Sequence, residues 1–142
     1  MIGVVDMKRD IHVENIRVES EDLENKYSPE ELNAILEEAK DRLPRLVVRY
    51  AKKMNISYEK VFVKAQKTRW GSCSSKGNIN LNCLLMKVPS YVRKYVIVHE
   101  LAHRKEMNHS EHFWKLVANE MSDYQKAVKW LKKNGEDVIG KL

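Results

Sequence analysis

Cysteine is scarce in this chain. Cys73 and Cys83 are the only two among 142 residues, and they do not form a C-x-x-C pair. A disulfide framework is excluded, and reduced thiols in a cytosolic protein are the expected state. A Cys73–Cys83 bridge across a hairpin is sterically open but not needed. A metal-ligand or latency role for Cys73 is a lesser alternative to simple packing. No apolar run approaches the ~20 residues of a membrane-spanning helix, so no membrane partner is expected. Residues 1–10 hold a few apolar side chains and then charges, without the apolar core of a secretory signal. A cytoplasmic location is therefore expected. Internal repeats, low-complexity tracts, Gly/Ser linkers and a Gly-rich phosphate loop are all missing. The length suits one compact domain with a real core.

Charge is present in excess and unevenly spread. The net charge is +6. Residues 1–42 carry six Lys/Arg against twelve Asp/Glu, and residues 43–142 carry twenty against eight. A basic half of this kind suits a polyanionic partner, nucleic acid above all. Folding of the acidic half over the basic half, with the excess as solvated Lys, explains it without a partner and is the preferred reading, since no nucleic-acid motif accompanies the charge.

Hydrophobic periodicity divides the chain into short strands and several helices. Residues 11–18, I-H-V-E-N-I-R-V, alternate as strands, and an acidic loop follows over 19–24. Residues 1–27 read as an acidic arm with short strands, and 28–142 as the main domain. Ser28-Pro29-Glu30-Glu31 is a helix start, with a capping Ser, Pro in the first position and Glu31 closing a capping box. Tyr27 and Leu32 can staple it. The helix places Leu32, Ile35, Leu36, Ala39, Leu43, Leu46, Val47 and Tyr50 on one face. Pro44 falls inside and should kink or split it. Residues 60–67 and 78–83 both alternate as strands, with Ser74 to Gly77 as a turn, and antiparallel pairing of the two is expected. Asn78, Asn80 and Asn82 share one strand face, which suits side chains that hold backbone groups, since Asn is a poor strand former. Further helices are expected from Ser110 and over about 123–133, the last ending near Asn134-Gly135.

The most informative word is H-E-L-A-H, His99 to His103. At about 100° per residue, positions i and i+4 stand on one helical face. Two imidazoles can thus meet one ion, with Glu100 close enough to handle the proton of a water on it. Val92, Tyr95, Val96, Ile97 and Val98 upstream suit a buried helix, and Pro89 and Ser90 mark its start. A catalytic zinc site usually has three protein ligands. On a straight helix His109 would point about 120° from His103, so the helix must end first. Asn108 as a left-handed terminator and Ser110 as the next cap would put His109 on the corner. His112 is the rival third ligand. His12 is expected to be exposed.

The words K-T-R-W-G-S-C-S-S-K-G-N-I-N-L-N (67–82), H-E-L-A-H and N-H-S-E-H-F-W (108–114) closely resemble the YgjP-like metallopeptidase domain family, within the zincins. The resemblance covers residues from about 60 to 135, and the first forty match poorly. It implies an α+β fold: a small zincin-like domain, with a short antiparallel sheet packed on the H-E-x-x-H helix plus further helices. It also implies one Zn²⁺ held by His99, His103 and His109, with Glu100 as catalytic acid/base. The site is similar to those of minigluzincins and SprT-like proteases. Metzincins place a Gly where this chain has Glu106. Some small relatives are made latent by a terminal segment, a role residues 134–142 could fill.

The expected function is zinc-dependent hydrolysis of a peptide or protein substrate. Arg69, His112 and Tyr124 are candidate transition-state contacts, and Trp70 a cleft wall or a core residue. An extended peptide could lie along the strand edge at Asn78 to Asn82, beside Asn80. The alternatives are a metal-dependent hydrolase of nucleotide phosphoanhydrides and a zinc-containing DNA-associated module.

Overall fold

The computed structural model describes residues 26–142. The sequence expectations for residues 11–18, the acidic loop and His12 lie outside the described residues. Helix α1 spans Pro29–Met54. Its capping box is complete: Ser28 accepts from the Glu31 N–H at 3.1 Å, and Glu31 accepts from the Ser28 N–H at 3.0 Å. Loss of such a Ser cap costs about 1 kcal/mol. Ile35, Ala39, Leu43, Val47 and Ala51 form its buried stripe at helical spacing. Pro44 neither splits nor ends this helix. The carbonyl whose i+4 donor it removes belongs to Lys40, an exposed position where water can serve. Asn55, in the left-handed conformation at φ 54°, terminates α1.

Three short strands follow: β1 Lys60–Lys64, β2 Gly71–Cys73 and β3 Asn78–Asn82. Among the described residues they form one mixed sheet in the order β1-β3-β2. The expected antiparallel pairing of the 60s with the 78–82 run is overturned. β1 pairs with β3 in parallel, and the antiparallel partner of β3 is β2. The expectation missed β2 because three residues are too few to show a period. The turn at Ser74 to Gly77 joins β2 to β3, with Gly77 at φ 93°. β3 is therefore central, and it has no open edge on which a peptide could lie.

Asn82 explains why this strand tolerates Asn. Its Nδ2 donates to the carbonyls of Gln66 and Arg69, both at 2.8 Å, and its Oδ1 accepts from the Leu84 N–H at 3.0 Å. It is buried, so removing the side chain would strand three backbone groups, each worth about 1–3 kcal/mol when left unsatisfied. Asn82 thus fastens the 65–70 loop to the sheet and starts the 3₁₀ helix Cys83–Lys87.

Helix α2, Ser90–Ala102, packs against α1 and the sheet. Its residues from Tyr95 to Ala102 are all buried. Helices α3, Glu111–Glu120, and α4, Tyr124–Ile139, also pack on α2. Ser110 caps α3 as expected, accepting from the Phe113 N–H at 3.3 Å. The expected stop of α4 at Asn134-Gly135 is overturned. Gly135 is buried inside the helix, and Ile139 packs in the core. Tertiary packing outweighs the ~1 kcal/mol that an internal Gly costs. The tail returns to the start of α1: the Tyr27 N–H donates to the Lys141 carbonyl at 2.7 Å, and Lys26 Nζ to that of Gly140 at 2.8 Å.

Candidate metal centre

Helix α2 ends at Ala102, and His103 is its C-cap in right-handed geometry. Tight turns then run through Glu106. Asn108 is not left-handed: Asn55 alone has positive φ among the described non-glycine residues. The helix ends earlier than expected, and no left-handed terminator is required to bring His109 round.

The result is a cluster of three imidazoles. Candidate ligand nitrogens of His99, His103 and His109 all lie within 4.8 Å of one another. Ring centroids are 5.0 Å apart for His99–His103, 5.3 Å for His99–His109 and 4.8 Å for His103–His109. His99 and His103 are fully buried and His109 half-buried. Tetrahedral zinc with bonds of about 2.0–2.1 Å spaces its ligand nitrogens about 3.3 Å apart, inside that 4.8 Å limit. The donor chemistry also fits. His103 Nδ1 stands 3.0 Å from the Glu106 carbonyl, which selects the tautomer with the proton on Nδ1 and a lone pair on Nε2.

Glu100 is fully buried, with Oε2 3.3 Å from His99 Nδ1. β2 passes directly behind it. The two buried thiols stay protonated at neutral pH. Burial, with the charge of Glu100 adding to it, pushes Cys73 up to about 12. Burial pushes Cys83 up to about 11. Both are free cysteines.

An aromatic cluster backs the imidazoles. The Phe113 ring lies 4.9 Å from His99, 4.5 Å from His103 and 5.0 Å from His109. Trp114 stands 6.0 Å from both His99 and His109. Tyr124 stacks on Trp114 at 5.3 Å and on Tyr95 at 6.3 Å. Phe113 and Trp114 were missed as site residues. The available signal was their position: they are the third and fourth residues after the Ser110 cap, on the helix turn that follows His109.

The other expected contacts are scattered. His112 is exposed beside Lys105, Glu106 and Lys115, outside the imidazole group. Trp70 is fully buried, a core residue rather than a cleft wall. Arg69 is half-buried, with its carbonyl held by Asn82. Asn80 donates to Ser72 Oγ at 3.2 Å across the β2–β3 pair. Tyr124 alone of these joins the ring cluster, and its hydroxyl accepts from Gln125 Nε2 at 3.2 Å.

An α+β domain with three imidazoles gathered at the end of a buried H-E-x-x-H helix is a small domain of the zincin kind. The chain belongs to the YgjP-like metallopeptidase domain family, whose model matches residues 5–134. The match reaches well in front of the 60–135 segment that carries the signature words, into the forty residues expected to match poorly. No curated protein and no solved structure gives a significant match. No helix among the described residues is long and apolar enough to cross a membrane.

Proposed function

We propose that this chain is a zinc-dependent metallopeptidase acting on a peptide or protein substrate in the cytoplasm. One observation carries the reading: the candidate ligand nitrogens of three buried or half-buried imidazoles lie within 4.8 Å of one another, and a buried carboxylate stands at 3.3 Å from one of them. His99, His103 and His109 would hold the metal. Zinc, when bound there, supplies a Lewis acid that makes water a usable nucleophile near neutral pH and polarises a carbonyl. Glu100 accepts the proton of the attacking water and passes it to the leaving amine. The Glu106 carbonyl keeps His103 in the tautomer that bonds through Nε2. Tyr124, in the ring stack beside the imidazoles, is the best-placed candidate to stabilise developing negative charge on the substrate carbonyl. The family match from residue 5 supports treating the acidic arm, residues 1–27, and the domain, 28–142, as one unit.

The test is Glu100→Gln, assayed on unfolded casein with zinc content measured in the same samples. The variant should keep its zinc and lose about 10²–10⁴-fold in turnover. Equal turnover by variant and wild type at equal zinc content removes Glu100 from this role. Nucleoside triphosphates and duplex DNA serve as comparison arms. Hydrolysis of the former without casein cleavage, or salt-dependent DNA binding without hydrolysis, would replace the peptidase reading by the corresponding alternative.

A further inference from the structure

Gly71 opens β2, and the space its missing side chain would fill belongs to Glu100. A Cβ placed on Gly71 would stand 3.1 Å from Glu100 Cγ, 3.3 Å from Glu100 Oε2 and 3.2 Å from the Asn80 carbonyl oxygen. These approaches are tighter than ordinary van der Waals contact, so a neighbour would have to shift by a few tenths of an ångström. Backbone conformation does not call for glycine here, because Gly77 alone among the described glycines has positive φ. Glycine in a strand weakens it and often marks a close approach. The close approach at this position is to the carboxylate-bearing side chain of the metal helix.

We propose that Gly71 is a positioning residue for Glu100: the bare β2 backbone is the wall that sets where the carboxylate stands relative to His99. The proposal rests on the reading of Glu100 as the proton-handling group. The hairpin behind that wall is itself held in place. Arg104, the residue after His103, donates from Nε to the Ser57 carbonyl at 3.0 Å and from Nη1 to that of Ser75 at 3.3 Å. Its guanidinium lies where a side chain at Gly77 would be, 2.8 Å from a Cβ placed there. The β2–β3 hairpin is thus fitted to α2 by a glycine at each end. The first contact governs the carboxylate and the second governs the docking. A methyl group on Gly71 would push Glu100 off its position by a few tenths of an ångström. A misplacement of about 1 Å at a reacting group can cost about 10²-fold in rate, so a shift of this smaller size is expected to cost about tenfold.

The decisive experiment is a double-mutant cycle on the full chain, read first without metal by thermal melting. Gly71→Ala should lower the melting temperature by several degrees when Glu100 is present. In the Glu100→Ala background the same change should cost little, because the methyl occupies vacated space. A Gly71→Ala chain that fails to fold alone but folds with Glu100→Ala supports the proposal equally. A loss of the same size in both backgrounds, or failure to fold in both, overturns it and assigns the glycine to the Asn80 carbonyl. The second reading uses zinc-loaded protein on casein. Gly71→Ala should reduce kcat by about tenfold or more, with KM and zinc affinity near wild type. An unchanged kcat at full zinc occupancy overturns the positioning role. A wild-type protein without chelator-sensitive hydrolysis would sink the peptidase reading, and the melting cycle would still decide the Gly71–Glu100 contact.

Discussion

Phe113→Ala tests whether the imidazoles are held in place before any metal arrives. Phe113 is fully buried, and its ring lies within 5.0 Å of all three imidazole centroids. Truncating a buried Phe to Ala costs about 3–5 kcal/mol through lost burial and a residual cavity. For a chain of this length each kcal/mol moves the melting temperature by roughly 3–5 °C, so a fall of about 10–20 °C is expected. Zinc affinity should fall as well, since the rings lose the surface that fixes their rotamers. Supporting residues of metal sites typically contribute 10–100-fold, and that is the range expected here. Phe113→Leu restores most of the volume and should cost less than about 1.5 kcal/mol. Its zinc affinity should fall between wild type and the Ala variant, because the ring–ring contacts are gone while the bulk remains. The measurements are thermal melting of metal-free protein and competition for zinc against a chromophoric chelator, at a temperature where all three proteins are folded. A Phe113→Ala protein that melts much earlier yet binds zinc as tightly as wild type would show that Phe113 fills space without ordering the imidazoles.

Three further outcomes are expected. His109→Ala should weaken zinc binding by about 100-fold or more, beyond the usual reach of a supporting residue, while His112→Ala leaves it near wild type; the reverse order in a metal titration would exchange their roles. The hydrogen bonds between Ser28 and Glu31 hold the Glu31 carboxyl below its ordinary range. Its stabilising contribution is complete above the unfolded value of about 4.3 and fades as pH falls through the lower folded value. Glu31→Gln should therefore flatten the acid limb of melting temperature against pH, and parallel curves from about pH 5 to 3 would exclude the linkage. With thiols pushed up to about 12 and about 11, Cys73 and Cys83 should resist iodoacetamide in the native protein and label on unfolding. Rapid labelling of Cys73 in the folded chain would contradict its burial.

The H-E-x-x-H helix and the α1 start were legible because each rests on local chemistry. The i, i+4 imidazoles, the apolar run in front of them and the Ser28–Glu31 box act within one or two turns. The α+β class followed from the same local patterns and the family words. The sheet was not legible in the same way. A parallel β1–β3 pair and a three-residue β2 depend on contacts between distant segments, and alternation shows only that a strand exists. The end of α2 at Ala102 comes six residues before Asn108 and is closed by tight turns that no residue type announces, and the continuation of α4 to Ile139 is set by packing, which overrode the terminator chemistry of Asn134-Gly135. Gly71 illustrates the limit best. The letter G in R-W-G-S gives no hint that its missing Cβ is reserved for a carboxylate 29 positions later.

Trp114 gives the molecule an optical consequence. An indole a few ångströms from a coordination centre loses emission when a paramagnetic, redox-active ion occupies that centre, and keeps most of it beside a closed-shell one. With its ring 6.0 Å from two of the imidazoles, Trp114 meets that condition. Cu²⁺ or Co²⁺ loading should darken it far more than Zn²⁺ does. Ion exchange can then be followed in real time from the intrinsic fluorescence of the unlabelled chain.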